Sequence, residues 1–373
     1  MNTTKVAFYS FTLLSEASLL AYLLWKQWRR TGHPLPSLHA AKEIYLKWKR
    51  HRDEKNEMKN WRWHKVGEVD NLIVYPVRSM RGIRLDSAYC HRRGLCHDEW
   101  LRDRYFAVVD LSGYYVDPDK DRKIRNIQPC MMESILVLTY THRDGFMMDL
   151  SKLKEGPFEL RILADGTLAR DCGDEVAQWL SRYLRGMDTS FRLVTWPSDD
   201  IERRIWKKFS IFNRYTIKDT GAFGDGTSYT LENKASVDDL NTLLFAPVNV
   251  SQLMPNIVVS GPKAYEEDSW ETVRIGECIF QNVMPCGRDH DMGPHTESGR
   301  KKELELRSIM RRYRFFLNHE VENAFRGFPS IGIHLGLRYS GGPIRKGDPV
   351  YVRSDKKLTG PMIKTNEKFR NLM

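Results

Sequence analysis

Cysteine is scarce in this chain and never closely paired. The six cysteines, Cys90, Cys96, Cys130, Cys172, Cys278 and Cys286, form no C-x-x-C spacing. A chain of 373 residues with 41% hydrophobic content fills a core without a disulfide framework. The usage fits a reducing compartment. Also missing are a Walker loop, a Rossmann glycine pattern, a Ser-His-Asp arrangement, a zinc finger, an RNA-recognition motif, a helix-turn-helix and internal repeats. Acidic residues are in deficit, 48 against 59 lysines and arginines, a net charge of +11. Much of the excess lies before residue 66, which points to a membrane surface or an acidic partner; no nucleic-acid partner is expected.

Long apolar runs are equally rare. The exception is Val6 to Trp25, whose one charge is Glu16. Its length matches the hydrocarbon core of a bilayer. Glu16 near the centre costs about 2–3 kcal/mol, which six leucines and two phenylalanines in the run offset. No small-x-small cleavage site follows, so an N-terminal transmembrane helix is expected over residues 6–25, within an anchor of residues 1–30. Lys26, Arg29, Arg30, Lys42, Lys47, Lys49 and Arg50 follow the run and only Lys5 precedes it, which places the C-terminal bulk in the cytosol. Residues 31–65 read as a basic linker. Within it, 38–63 is a charged helical stretch that serves either as a solvated spacer or as a docking helix.

Beyond residue 65 the chain reads as α+β. Val66 to Tyr75, Tyr105 to Val109, Tyr114 to Val116, Ile135 to Thr139 and Phe158 to Leu163 read as strands, with Asp165-Gly166 as a hairpin turn. Val176, Trp179, Leu180, Tyr183 and Leu184 recur at helical spacing, and Gly186 follows as a C-cap, which predicts a helix over 174–184. Ser236-Val237-Asp238-Asp239 has capping-box spacing before Leu240, Leu243 and Leu244. Ile257-Val258-Val259 predicts a strand buried on both faces. Thr272 to Ile275 and Cys278 to Met284 form a hairpin around Gly276-Glu277, and Lys301 to Tyr313 a basic helix. Val350 to Val352 ends the fold, and 354–373 is a polar tail expected to be disordered.

Two stretches carry the chemistry. Val74-Tyr75-Pro76-Val77-Arg78-Ser79-Met80-Arg81-Gly82 runs from an apolar strand into a basic, hydroxyl-bearing loop suited to a phosphate. Pro255-Asn256-Ile257-Val258-Val259-Ser260-Gly261 is followed by Met284-Pro285-Cys286-Gly287-Arg288-Asp289, which delivers a thiol and a guanidinium to a loop. A thiolate is a soft metal ligand or a nucleophile. Asp289-His290-Asp291 with His295 and Glu297 is dense enough in ligands for a divalent metal, although a polar surface loop explains it as well.

Taken with Leu101-Arg102-Asp103-Arg104, Arg170-Asp171-Cys172-Gly173, Ala235-Ser236-Val237-Asp238-Asp239-Leu240-Asn241 and Lys346-Gly347-Asp348-Pro349-Val350-Tyr351, these pieces, in their order and spacing, resemble the MOSC-domain family, and within it the amidoxime reducing components of mitochondria. The resemblance implies a β-rich MOSC N-terminal domain (66–200) and a MOSC β-barrel-like domain with flanking helices (201–353). It implies a molybdenum-molybdopterin cofactor contacted by Arg78, Ser79, Arg104, Asn256 and Arg288. It further implies reduction of small N-hydroxylated compounds, a cytochrome b-type haem protein with its NADH reductase as electron source, and a mitochondrial outer membrane location. Two positions depart from the family. The loop reads Cys-x-Arg-Cys there, its second cysteine holding molybdenum; here that position is Asp289, so the ligand is Asp289 or Cys286. The family's arginine two residues before Asn256 is Met254. These departures leave open a non-catalytic relative, or a carrier of cofactor or sulfur.

Overall fold

In the computed structural model, residues 60–140, 145–155, 159–288, 297–338, 341–353 and 362–370 are described. The expected transmembrane span and nearly all of the basic linker lie outside these residues. Among the described residues no helix is long and apolar enough to cross a membrane. Residues 63–373 form one compact unit.

Its centre is a closed barrel of seven strands: β1 (Trp63–Val74), β2 (Tyr229–Asn233), β3 (Ile257–Ser260), β4 (Thr272–Ile275), β5 (Cys278–Gly287), β6 (Ser330–Leu337) and β7 (Pro349–Arg353). Around the barrel the order is β1, β3, β2, β6, β5, β4, β7 and back to β1. An odd number of strands cannot close with every neighbour antiparallel. The odd pair is β2 with β3, which run parallel. Parallel neighbours need a crossover, and the connection carries helix α1 (Lys234–Asn241). Val69, Val74, Tyr229, Leu231, Ile257, Val259, Val273, Phe280, Ile333 and Val350 belong to the barrel core, each at most 3% exposed. Ile257, Val258 and Val259 are all fully buried, as the unbroken apolar run predicts.

The long connection from β1 to β2 builds a second core. An antiparallel sheet pairs 106–110, 191–195, 168–171 and 160–162, and a meander pairs 128–132, 135–139 and 145–149. Helix Asp174–Arg185 ends on Gly186, whose φ of 71° is the left-handed turn that glycine adopts without strain. Its Val176, Leu180 and Leu184 pack with Phe106, Val108 and Leu136.

Several expectations change. Strand β1, from the first expected domain, closes the barrel formed by the C-terminal half. Residues 114–116 make only an isolated bridge from Tyr115 to Val109. Ser236 is not the cap of α1. Asn233 is, accepting from the Ala235 amide at 3.1 Å, while the Ser236 hydroxyl donates to buried Glu267 at 2.7 Å. Within the supposed tail, Ile363–Thr365 pairs with Arg314–Phe316, and Phe369 packs on the core of α1 and helix Glu297–Tyr313.

Candidate anion and cofactor site

The end of β1 feeds residues 75–80, and backbone bonds stitch this loop to the segment 104–106. The Arg104 amide donates to the Tyr75 carbonyl at 2.6 Å, Phe106 to Pro76 at 3.0 Å and Arg78 to Phe106 at 2.8 Å. Beneath them sits Asp103, 4% exposed. Its carboxylate accepts from the Tyr75 amide at 2.9 Å, the Asn256 amide group at 2.8 Å and Arg104 Nη1 at 2.6 Å. Burial raises the Asp103 carboxyl above its ordinary range, with Arg104 pulling it back. Asn256 Oδ1 accepts from the Thr230 amide at 3.1 Å and from Arg104 at 3.4 Å. Arg104 Nη2 also donates to the Met254 carbonyl at 3.1 Å, and its guanidinium lies 4.9 Å from the Tyr75 ring centroid.

The segment 253–256 binds two of the expected arginines at once. Arg288, 7% exposed, donates to the Leu253 carbonyl, to Glu232, and to the Ile331 carbonyl at 3.0 and 3.2 Å. Glu232 is fully buried on β2, and burial pushes its carboxyl up to about 7 against the opposing pull of Arg288. Its second oxygen has no hydrogen-bond partner among the described residues. Arg78 bonds Asp225 and donates to the Phe223 carbonyl at 2.8 Å, stacking 4.6 Å from the Tyr115 ring centroid. The structure therefore joins Arg104, Asn256, Arg288 and Met254 in one network. Each expected arginine already faces a carboxylate: Asp225, Asp103 or Glu232.

Backbone strain gathers at the same place. Six non-glycine residues among those described have positive φ, and three are Ser79 (65°), Arg104 (47°) and Met254 (50°). Left-handed backbone costs a side-chain-bearing residue on the order of 1 kcal/mol and persists where the surroundings enforce it, often at functional sites.

Ser79, Tyr75 and Met254 line a cavity of about 600 Å³ with Ile73, Arg81 and Arg84 among the other walls. Arg125 also lines it, and no carboxylate does. The Tyr75 hydroxyl is buried without a hydrogen-bond partner among the described residues, and burial pushes it above its ordinary range. Ser79 is 4% exposed and lines the same cavity. Space, cations and unspent hydrogen-bonding groups suit an anionic, heteroatom-rich ligand, and in this respect the residues present fit a pterin-phosphate group.

Cys286 lies near the end of β5, 3% exposed, with its carbonyl accepting from the Ser330 hydroxyl at 2.9 Å; it does not line the cavity. Asp289 and the cluster His290, Asp291 and His295 lie outside the described residues, as does the side chain of Glu297. Sequence reasoning pointed to Asp103 only as a partner of Arg104 and missed the parts played by Asp225, Glu232 and Tyr75. It also missed His334 on β6, a fully buried ring that burial pushes down to about 3, with the charges of Arg288 and Arg104 acting the same way. His334 Nδ1 sits 2.9 Å from the Thr227 hydroxyl. Gly226 lets the chain pass there: a Cβ would meet Met284 Cε at 2.7 Å and His334 Cε1 at 3.1 Å. A charge inside the apolar strand Tyr229–Asn233 was the one local signal for Glu232.

Residues 66–186 match the MOSC N-terminal beta barrel domain and residues 218–351 the MOSC domain. The chain is similar to mitochondrial amidoxime-reducing component 1 of Mus musculus, with 31% identity over 82% of this chain and 86% of that protein. It is 29% identical to the Danio rerio protein of the same name, over 77% of this chain and 85% of that one. Mitochondrial amidoxime reducing component 2 of Bos taurus is 28% identical over 78% of this chain and 84% of that one.

Proposed function

The chain belongs to the MOSC-domain family, with the amidoxime-reducing components among its relatives, and from that premise we propose that it is a molybdenum-cofactor oxidoreductase that reduces small N-hydroxylated compounds. The observation that carries this reading is the basic cavity of about 600 Å³, with the Tyr75 hydroxyl buried and unpartnered beside Ser79. A molybdenum–pterin group bound there would supply two-electron oxygen-transfer chemistry. Ser79 and Tyr75 would hydrogen-bond the group. Arg78, Arg104 and Arg288 would set a positive potential around its anionic end, and Asn256 would hold Arg104 in place. The buried, neutral His334 excludes a further charge from the site. Asp289, or Cys286 three residues earlier, would ligate the metal; oxygen donates less electron density than sulfur and shifts the potential. The reading includes electrons from a cytochrome b-type haem protein and its NADH reductase. It also includes an anchor at residues 6–25 in the mitochondrial outer membrane, with the folded unit in the cytosol.

A second reading, a non-catalytic relative or a cofactor or sulfur carrier, has its own support. Every arginine expected to hold the cofactor is already compensated by a carboxylate, and Met254 adds no charge.

The discriminating experiment measures molybdenum and pterin in the purified full chain, then donor-coupled reduction of benzamidoxime by wild type, Asp289→Cys and Cys286→Ser. One molybdenum per chain, with weak wild-type turnover raised by Asp289→Cys, is the expected result. Metal-free, folded protein refutes the proposal. Loaded protein that stays inactive as Asp289→Cys supports the non-catalytic reading. Turnover abolished by Cys286→Ser makes Cys286 the ligand.

A further inference from the structure

We infer that Arg81 and Arg84 form an anion-binding rim on this cavity, and that the site takes small organic ligands carrying a carboxylate or similar anionic group. The inference rests on the proposed function in one respect, that it names a substrate class for the same site.

The contrast among the arginines carries it. Arg78, Arg104, Arg288 and the cavity-lining Arg125 each have a carboxylate partner: Asp225, Asp103, Glu232 and Asp119. Arg84 has no ion pair or hydrogen bond from its guanidinium among the described residues, yet it lines the cavity. Its strand, Ile83–Leu85, pairs antiparallel with β1 and sets Arg84 opposite Ile73, another lining residue, so the backbone fixes where the cation starts. Arg84 is near enough for its charge to act on the buried Tyr75 hydroxyl. Arg81 donates through Nε to the Arg125 carbonyl at 3.3 Å, and its amide bonds the Ile127 carbonyl at 3.1 Å. Its terminal nitrogens make no ion pair among the described residues. Both side chains are exposed, as a rim that meets an incoming ligand must be. The walls add neutral hydrogen-bonding groups, Asn249, Ser251 and Gln252, and no acid that would repel an anion. Tyr75, whose buried hydroxyl has no hydrogen-bond partner among the described residues, lines the interior of the same cavity.

Two sources of negative charge fit this chemistry, the organic ligand itself and the phosphate of a bound cofactor, and the test separates them. The cofactor-loaded full chain is assayed with benzamidoxime, 4-carboxybenzamidoxime and 4-(aminomethyl)benzamidoxime. The carboxylate should show the highest kcat/KM and the ammonium compound the lowest. Arg84→Glu and Arg81→Glu should each lower the carboxylate-to-neutral ratio by about threefold, and the double variant by about tenfold. Arg84→Lys should retain most of the preference, and 0.5 M sodium chloride should erode it. Molybdenum content should be unchanged in all of these variants. Equal kcat/KM for the three compounds overturns the inference, and so does molybdenum lost from Arg84→Glu, which would assign the rim to the cofactor's phosphate. If no variant turns over any compound, titration calorimetry of the full chain with 4-carboxybenzamidoxime decides. Binding weakened by Arg84→Glu upholds the anion rim while the reductase reading fails; binding indifferent to it, or absent, overturns the rim.

Discussion

Asp103→Asn tests the hub on which the site hangs. Asp103 Oδ1 accepts from the Tyr75 amide and the Asn256 side chain, and Oδ2 from Arg104. Asparagine can keep the Oδ1 role, but its amide group then points a donor at a guanidinium. Arg104, whose side chain is 13% exposed, loses its ion pair while keeping the Met254 carbonyl and Asn256. Breaking a buried pair by neutralising one partner costs about 3–5 kcal/mol, and the two surviving bonds place the expectation at the lower end, about 3 kcal/mol. Urea unfolding followed by tryptophan fluorescence measures it as a lowered midpoint at constant slope. The double variant with Arg104→Met separates pairing from packing: once the guanidinium is gone, Asp103→Asn should cost under about 1 kcal/mol, a coupling near 2 kcal/mol. A single-variant loss below about 1 kcal/mol, or additive costs, would refute the hub.

Two further perturbations follow from the same region. Glu267 is fully buried with no ion pair among the described residues, between Ser236 and Asn233, and burial, with help from Asp268, pushes its carboxyl up to about 8. A carboxyl raised from its unfolded value of about 4.5 gives stability that is full below that value and lost as pH rises toward 8. Unfolding free energy should therefore fall between pH 5 and 8, and Glu267→Gln should flatten the slope; an unchanged slope sinks the assignment. Ser79→Gly relieves the 65° φ but adds chain entropy to the unfolded state, so stability should stay within about 0.5 kcal/mol. Molybdenum retention should drop in both Ser79→Gly and Ser79→Ala, because both lose the hydroxyl that lines the cavity. Full retention in the two would remove Ser79 from the site.

The local features were legible. Helical spacing and Gly186 located the helix at 174–185, and the apolar run located β3. What failed depends on distant partners. Ser236 carries the right capping letters, but the hydroxyl is engaged by Glu267, thirty-one positions along the chain, and Asn233 caps instead. The polar segment 362–370 folds because Arg314–Phe316 offers a strand edge and because Phe369 has a core to enter. The placement of β1 in a barrel made by residues beyond 228 is likewise a matter of pairing, which no local pattern encodes. Arg78, Ser79, Arg104, Asn256 and Arg288 were singled out by motif resemblance, and the structure brings Arg104, Asn256 and Arg288 into one network. Asp225 and Glu232, the partners of Arg78 and Arg288, were not foreseen, because a carboxylate that neutralises a buried arginine reads in sequence like any solvated one.

Those partners change what the site's charge can do. Three cations without counter-ions in so small a volume would repel one another and pay heavily for burial. With Asp225, Asp103 and Glu232 in place, the arginines are held before any ligand arrives, and the left-handed residues Arg104 and Met254 belong to the same network. Compensation also weakens the long-range pull of these arginines on an anion. What remains to attract one is Arg81 and Arg84, exposed and without carboxylates among the described residues. The interior network thus supplies position and the rim supplies attraction, so interior substitutions should act on stability and cofactor retention, and rim substitutions on salt-dependent ligand preference.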